Sequence, residues 1–484
     1  MKLGRIAGEA GLDAGAAADQ TVTGFAIDHR KVAPGTVFGA FQGARVNGED
    51  FIPAAVAGGA IAVVARPEAR VAGATHIADP EPRRAFARLA ARFFAPVPET
   101  IVAVTGTNGK TSTVEMTRQL WRMAGISAAS IGTLGVTTPD ESVSTGLTTP
   151  DIVTFLANMS GLAREGVTHV AYEASSHGLS QFRNEGLRVS AGAFTNLSRD
   201  HLDYHADMEE YFAAKMRLFD EVVAPDGTAV IWRGGDGWAD RAEQHARKRG
   251  LRVLTVGDEG DYIRLVARIP ATLGQTLEIE HGGTSRKVNL PLIGAYQAAN
   301  ALVAAGLVLA TGGDAVQTFD SLSRLQPVRG RLERAALNRA GAPVYVDYAH
   351  TADALEAAIA ALRPHVEGRL IVVFGAGGDR DQGKRADMGH VAHEQADVVF
   401  VTDDNPRGED PAAIRCQVLE GAPGAREIGD RRAAIAAAVT MAKAGDIVLV
   451  AGKGHEQGQI VGSGEEMRVL PFDDVTVARE AAAA

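Results

Sequence analysis

The sequence predicts an α/β protein with mostly parallel sheets, arranged in three blocks. Length is the first ground for this: 484 residues are too many for one core, so about two to four domains are expected. Second, short β-branched apolar runs alternate with helical patterns along most of the chain, as in βαβ units. Third, one such run, 101–104, ends in a glycine-rich turn that opens into a helical pattern at 112–123. A hydrophobic share of 46% beside 22% charged residues is that of an ordinary globular protein, which rules out a disordered chain.

In chain order, residues 1–98 alternate short strands (24–28, 60–65) with turns, and close with an amphipathic helix near 83–95 and the link Ala95-Pro-Val-Pro98. This block reads as a small N-terminal α/β domain. Residues 99–329 hold the glycine-rich unit and the strands 168–173, 191–196 and 229–232, a central P-loop-type domain with a mostly parallel sheet. Residues 330–484 restart the alternation with 344–347, 370–374, 398–402 and 446–451, a Rossmann-like C-terminal domain. Sites in such sheets lie at the carboxyl ends of strands. The uncharged stretch 290–313 is long enough to cross a bilayer. Pro291, Tyr296, Gln297 and Asn300 interrupt it, and Gly312-Gly313 closes it, which favours a helix buried between layers.

A net charge of −10 argues against a nucleic-acid partner, so basic clusters such as Arg329-Gly-Arg331 are expected to serve small anions. A single cysteine, Cys416, excludes an intrachain disulfide and fits a reducing compartment. No apolar run follows Met1-Lys-Leu-Gly-Arg-Ile, so no signal peptide is read and a cytoplasmic protein is expected.

The segment Thr105-Gly-Thr-Asn-Gly-Lys-Thr111 carries the clearest chemistry. Gly106 and Gly109 let the backbone curl so that several N–H groups face one anion, and the helix N-terminus adds partial positive charge. Lys110 can reach the β/γ-phosphates, and the Thr111 hydroxyl can ligate Mg²⁺. A common P-loop would carry glycine at 104, where this chain has Val104. The segment is read as a nucleoside-triphosphate site.

Other candidates also follow strands. Glu173 is either a Mg²⁺ ligand or a solvated loop acid. His201 and His205 stand four apart, but Leu202 replaces the glutamate of a helical zinc site, so a zinc hydrolase is poorly supported. Lys215 falls with Tyr211, Phe212, Leu218 and Phe219 at helical spacing, and on pattern alone it reads as a lysine snorkelling over a core. In Asp404-Asn-Pro-Arg407, Arg407 can fork onto a carboxylate.

The compact glycine-rich form resembles the Mur ligases and the related folylpolyglutamate synthetases, ATP-dependent enzymes that form amide bonds. Tyr-x-x-x-Lys-x-x-Leu-Phe219 after Asp200-His-Leu-Asp-Tyr-His205 is similar to the Mur ligase segment whose lysine is carbamylated by CO₂. The resemblance implies N6-carboxylysine at Lys215, Mg²⁺ held by Thr111, Glu173, His201 and Lys215, and catalytic roles for Lys110, His201 and Lys215. It implies ATP contacts from Gly106, Thr107, Asn108, Gly109, Lys110, Thr111, Ser112, Asn300, Arg331 and His350. Asp28-His-Arg-Lys-Val-Ala-Pro-Gly-Thr-Val-Phe38 resembles the uridine-binding stretch, through Asp28 and Arg30. Thr148, Thr149, Ser175, Gln181 and Arg183 match positions that hold the muramoyl-dipeptide. Arg380, Asp404, Asn405, Pro406, Arg407, Gly452 and Glu456 match those that hold the incoming amino acid, in the form that takes meso-diaminopimelate rather than lysine.

The resemblance thus implies an ATP-dependent ligase adding meso-diaminopimelate to UDP-N-acetylmuramoyl-L-alanyl-D-glutamate in peptidoglycan precursor synthesis. The three blocks become domains binding UDP-muramoyl, ATP and amino acid, in a monomer without membrane insertion. A nucleotide-dependent scaffold that has lost catalysis is the rival of a different class. It would be expected to lack Lys215, His201 or Glu173, and all three are present. Family members carry other residues at His29, Asn47, Gln297, Arg329 and Ala352.

Overall fold

A computed structural model describes residues 1–484 apart from 44–45, 139–141, 144–147, 201, 203, 235–236, 272–273 and 380. Three α/β units follow one another. The first is a four-stranded parallel sheet, Gly24–Ala26, Thr36–Gly39, Ala60–Ala65 and Thr75–Ala78 in that order. Helix Pro82–Phe93 covers it, with proline in the first turn where its missing N–H is harmless. Phe86 is fully buried and meets Phe25 and Phe41 edge-on at 5.3 and 5.4 Å. The reverse face of the same helix docks on the second unit: Arg84 donates to Glu185 (3.0 Å) and Glu221 (2.7 Å).

The second unit is an eleven-stranded sheet. Its parallel heart runs Arg252–Gly257, Val223–Trp232, Val189–Phe194, Thr100–Thr105, His169–Glu173 and Ala128–Gly132. The strand that precedes the glycine-rich turn is therefore flanked by the strands ending at Phe194 and Glu173. Helix Lys110–Met123 begins two residues earlier than the sequence pattern indicates. Gly109, at φ +87°, ends the turn there and puts the N–H groups of Lys110 and Thr111 in the open first turn.

Helix Ala295–Ala310 accounts for the uncharged stretch. It is buried almost all round against the sheet and helix Lys110–Met123, as an all-apolar helix must be. Among the described residues no helix is long and apolar enough to cross a membrane. The antiparallel meander Ile263–Ala271, Gly274–His281 and Thr284–Leu290 extends the sheet and was not read from the sequence. Its inner residues (Leu265, Leu277, Ile279, Val288) are buried, whereas Arg264, Arg268 and Lys287 face water, so it lacks the continuous apolar runs of the parallel strands.

The third unit is a six-stranded sheet ordered Glu333–Leu337, Pro343–Asp347, Ile447–Ala451, Leu370–Phe374, Val398–Val401 and Arg426–Glu427, with only the first strand antiparallel. Apolar layers cover both faces. Ile293, from the segment leading into the buried helix, packs into one of these layers and joins the second unit to the third. Helices Arg431–Met441 and Asp474–Ala483 are tied by a fully buried two-pronged pair, Arg431 Nε and Nη2 to Asp474 at 2.8 and 2.7 Å.

Candidate active site

The carboxyl ends of the central and C-terminal strands open into one cavity of about 730 Å³. On its central side the glycine-rich loop is clamped by the end of the neighbouring strand. Asn108 N–H donates to Asn196 Oδ1 (2.9 Å), Thr195 Oγ1 to the Asn108 carbonyl (2.6 Å), and Thr107 N–H to the Asn196 carbonyl (2.9 Å). Glycine is required at both turn positions. Gly106 and Gly109 have φ of +146° and +87°, and a Cβ there would lie 1.9 Å from Thr195 Oγ1 and 2.3 Å from Asn300 Oδ1.

Lys110 Nζ folds back on the Gly106 and Thr107 carbonyls at 2.9 and 2.7 Å, and burial lowers its pKa. Ser112 is buried in the first helical turn. Lys215 Nζ meets the same Gly106 carbonyl at 2.7 Å and lies over the Tyr211 ring. Only 1% of Lys215 is exposed, so it does not snorkel. Burial first, then the charge of Lys110, push its amine well below the ordinary lysine range, against the opposing pull of Asp200.

Glu173 is buried and accepts from Thr133 N–H (2.7 Å) and Thr133 Oγ1 (3.1 Å); a Cβ at Gly132 would strike its carboxylate. From here a polar chain runs along the cavity wall. Thr133 Oγ1, its proton given to Glu173, accepts from Thr148 Oγ1 (3.1 Å), and Thr149 Oγ1 shares a 2.9 Å hydrogen bond with Ser175 Oγ. Arg183 donates to the Thr149 carbonyl (2.8 Å) and to Gln181 Oε1 (2.7 Å). Arg183 also lines a small adjoining cavity of about 70 Å³, together with Gln181 and with Ile27, Phe41 and Arg83 of the first unit. The five residues matched to the dipeptide are thus contiguous. Asp28 and Arg30 lie outside both cavity linings and form a two-pronged pair with each other (3.0 and 2.8 Å), which holds the Asp28 carboxyl well below its usual range.

The C-terminal unit reaches across the cavity. Arg331 Nη2 donates to Thr111 Oγ1 (3.0 Å) and its guanidinium stacks over Tyr348. Gln297 Nε2 holds the Arg331 carbonyl at 2.9 Å. Asn300 accepts from Thr113 Oγ1 (3.4 Å), and its Nδ2 has no partner among the described residues. His350 Nδ1 donates to the Tyr348 carbonyl (2.9 Å), and burial lowers its pKa. Asp347 accepts from Leu332 and Ala349 N–H (2.6 and 2.8 Å), yet burial raises its carboxyl to about 6.

Further along the same sheet, Asp404, Asn405, Arg407, Gly452 and Glu456 line the cavity, whereas Pro406 does not. Arg407 Nη1 donates to the Gly378 carbonyl at 2.9 Å, and Asn405 Nδ2 to Glu456 Oε2 at 2.9 Å. Among the described residues, the non-glycine positions with left-handed backbones, Phe182, Leu332, Asp379 and Arg407, all belong to or adjoin residues singled out from the sequence. Strain of this kind, of order 1–3 kcal/mol each, is typical of positions a site over-determines. His201 and Arg380 lie outside the described residues.

The positions that depart from the family pattern have local partners. His29 stacks on Phe51 (4.5 Å, 6°), Asn47 Oδ1 accepts from Glu49 N–H (3.1 Å), Arg329 pairs with Asp473 (2.7 Å), and Ala352 opens helix Ala352–Leu362. Sequence reading missed Thr133, Thr195, Asn196 and Lys453. All four follow strand ends, which is the one signal that could have marked them.

Three family matches cover most of the chain: the Mur ligase family catalytic domain over 21–94, the Mur ligase middle domain over 104–308, and the Mur ligase glutamate ligase domain over 330–454. A protein of Zymomonas mobilis named UDP-N-acetylmuramoyl-L-alanyl-D-glutamate--2,6-diaminopimelate ligase is 63% identical over 463 residues, 96% of this chain and 95% of its own. One of the same name from Bradyrhizobium diazoefficiens is 52% identical, over 98% and 97%. A solved structure of a ligase of that name superposes with a TM-score of 0.73 at 34% identity, covering 100% and 99% of the two chains.

Proposed function

The chain belongs to the Mur ligase family, and from that premise we propose that it joins meso-diaminopimelate to the D-glutamate γ-carboxylate of UDP-N-acetylmuramoyl-L-alanyl-D-glutamate, with ATP converted to ADP and phosphate. One observation carries the reading. A single cavity holds a phosphate loop, a wall suited to a peptide carboxylate and a lobe suited to a second amino acid.

A carboxylate is too poor an electrophile to take an amine directly. ATP therefore transfers its γ-phosphoryl to the glutamate carboxylate, giving an acyl phosphate and ADP. The diaminopimelate amine attacks that carbonyl, and the tetrahedral intermediate collapses with loss of phosphate and a proton. Loop residues 106–112 cradle the phosphates, Lys110 swings from its carbonyl partners to the β/γ-oxygens, and Arg331 adds a cation from across the cleft. Asn300 and His350 contact the nucleotide beside them. Thr148, Thr149, Ser175, Gln181 and Arg183 align the dipeptide, while Asp28 and Arg30 hold the uridine end. Arg183 meets a carboxylate and Arg407 the distal carboxylate of diaminopimelate, each in the forked geometry of guanidinium. Asp404, Asn405, Pro406, Gly452, Glu456 and Arg380 complete that lobe.

Mg²⁺ fits the donor chemistry, since Glu173 and Thr111 present oxygen atoms to the cavity. Among the described residues no three His, Cys, Asp or Glu side chains converge, so a cation would draw on Thr111 and a carbamylated Lys215, with His201, as well as Glu173. When bound it offsets charge on the phosphoryl oxygens. Domains 1–98, 99–329 and 330–484 would bind UDP-muramoyl, ATP and amino acid, closing to exclude water from the acyl phosphate. We place the activity in the cytoplasm, in a monomer.

ADP release should require both the UDP-muramoyl-dipeptide and an amino acid. In equimolar meso-diaminopimelate and lysine, the product mass should be that of the diaminopimelate adduct. Release without the dipeptide, or a lysine product, would refute the reading. Arg407→Ala should raise the KM for meso-diaminopimelate roughly 30-fold or more, the lower bound of about 2–5 kcal/mol for a lost charged partner, with the KM for ATP unchanged.

A further inference from the structure

Behind the Asp404–Arg407 lobe lies a lysine that lines neither of the two cavities described above. Lys453 is 0% exposed and is absent from the cavity lining. Its ammonium has three acceptors, Asn405 Oδ1 at 2.8 Å, Glu456 Oε2 at 3.1 Å and Asp404 Oδ1 at 3.4 Å. Those acceptors match the donors of one ammonium. They also belong to the residues that the proposed function assigns to diaminopimelate. Glu456 Oε2 receives a second donor, Asn405 Nδ2, at 2.9 Å, while no hydrogen bond among the described residues reaches Glu456 Oε1. Glu456 lines the cavity, with 31% of its side chain exposed.

We propose that Lys453 is a positioning residue that locks the Glu456 carboxylate by one oxygen so that the other meets the distal ammonium of the incoming amino acid. The inference rests on the reading of this lobe as the diaminopimelate site. Asn405 is fixed in the same lock, since its Oδ1 also accepts from Ile460 N–H at 2.9 Å, in the hairpin strand Gly458–Val461. Charge supports the assignment. Behind the wall the cations Lys453 and Arg431 face three carboxylates, Asp404, Glu456 and Asp474. Within this group Glu456 is the most exposed of the three carboxylates, while a substrate carboxylate falls to Arg407, another cation of the lobe. A lysine serving only to neutralise Asp404 would have no need of Glu456, and that contact is the shorter of its two carboxylate contacts.

The test compares meso-diaminopimelate with L-2-aminopimelate, which keeps the attacking amine and both carboxylates but lacks the distal amine. Lys453→Met keeps the apolar stem. It should raise the KM for diaminopimelate about 10-fold or more, the loss typical of removing a group that orients a ligand-contacting residue. The KM values for 2-aminopimelate and ATP should stay within about twofold, and Glu456→Gln should make the Lys453→Met effect vanish in the double variant. If Lys453→Met does not yield folded protein, Lys453→Gln, which retains a donor toward Asn405, is measured in the same way and should show the same split. A wild-type enzyme that makes no diaminopimelate product would overturn the reading of the site, and this proposal with it. A wild type that makes the product, together with a variant whose KM is unchanged or rises equally for both acceptors, overturns the proposal alone.

Discussion

Lys110→Ala is expected to lower ADP formation by at least about 100-fold, the scale set by removing one preorganised charge-stabilising donor. The expectation comes from where the amine sits. Lys110 Nζ rests on the Gly106 and Thr107 carbonyls, in a loop that lines the cavity and opens into the first turn of helix Lys110–Met123. A phosphate chain entering there offers the ammonium a stronger, charged partner than two neutral carbonyls. The fold should hardly notice the change. Gly106 keeps a second donor, Lys215 at 2.7 Å, and only the Thr107 carbonyl loses its partner, a cost of about 1–3 kcal/mol at most. Steady-state ADP release and a thermal melt on the same preparation separate the two effects. A soluble, folded Lys110→Ala protein with near-normal turnover would end the assignment of the loop.

Much of this is legible in the sequence, and the exceptions have physical reasons. The longer apolar parallel strands and the glycine-rich turn announce themselves through continuous apolar runs and a short spacing, because both depend on neighbours in sequence. The parallel strands Thr36–Gly39, Thr75–Ala78, Ala128–Gly132 and Arg252–Gly257, broken by glycine, polar or charged residues, carry no such run and escape the sequence reading. The meander 263–290 escapes it too: it is solvated on one face, and its inward residues alternate with arginines, lysine and glutamates. The site divides along the same line. Lys110 and Thr111 follow from local chemistry, whereas the chain from Thr133 through Thr149 to Arg183 joins residues up to 34 positions apart, and Lys453 meets Asn405 across 48. Nothing local marks such pairs. For Lys215, helical spacing correctly put the stem in the core but favoured an ammonium reaching water. The structure turns it inward because the glycine-rich loop offers a carbonyl there.

That inward turn is the basis of the last expectation. A lysine buried to 99%, with its pKa driven well down by burial and by the neighbouring Lys110, gives up its proton far more readily than an exposed lysine and so yields the neutral amine that carbamylation needs. Its lone pair can form an N–C bond to CO₂ while one N–H proton leaves to solvent, converting a donor into a carbamate anion. ¹³C NMR under ¹³CO₂ should show a carbamate resonance that is absent from Lys215→Met. If the carbamate then serves as an anionic cation ligand, Lys215→Met should lose at least about 100-fold in turnover, the upper range already seen for partners one shell further out. Stability should change by only about 1 kcal/mol, because methionine fills the stem and the Gly106 carbonyl retains Lys110 at 2.9 Å. Lys215→Ala should recover part of its activity in formate or acetate, whose carboxylate could occupy the vacated place. A lysine that merely fills the core predicts the opposite on every count, above all full activity in Lys215→Met, and that single result would remove the carbamate from the mechanism.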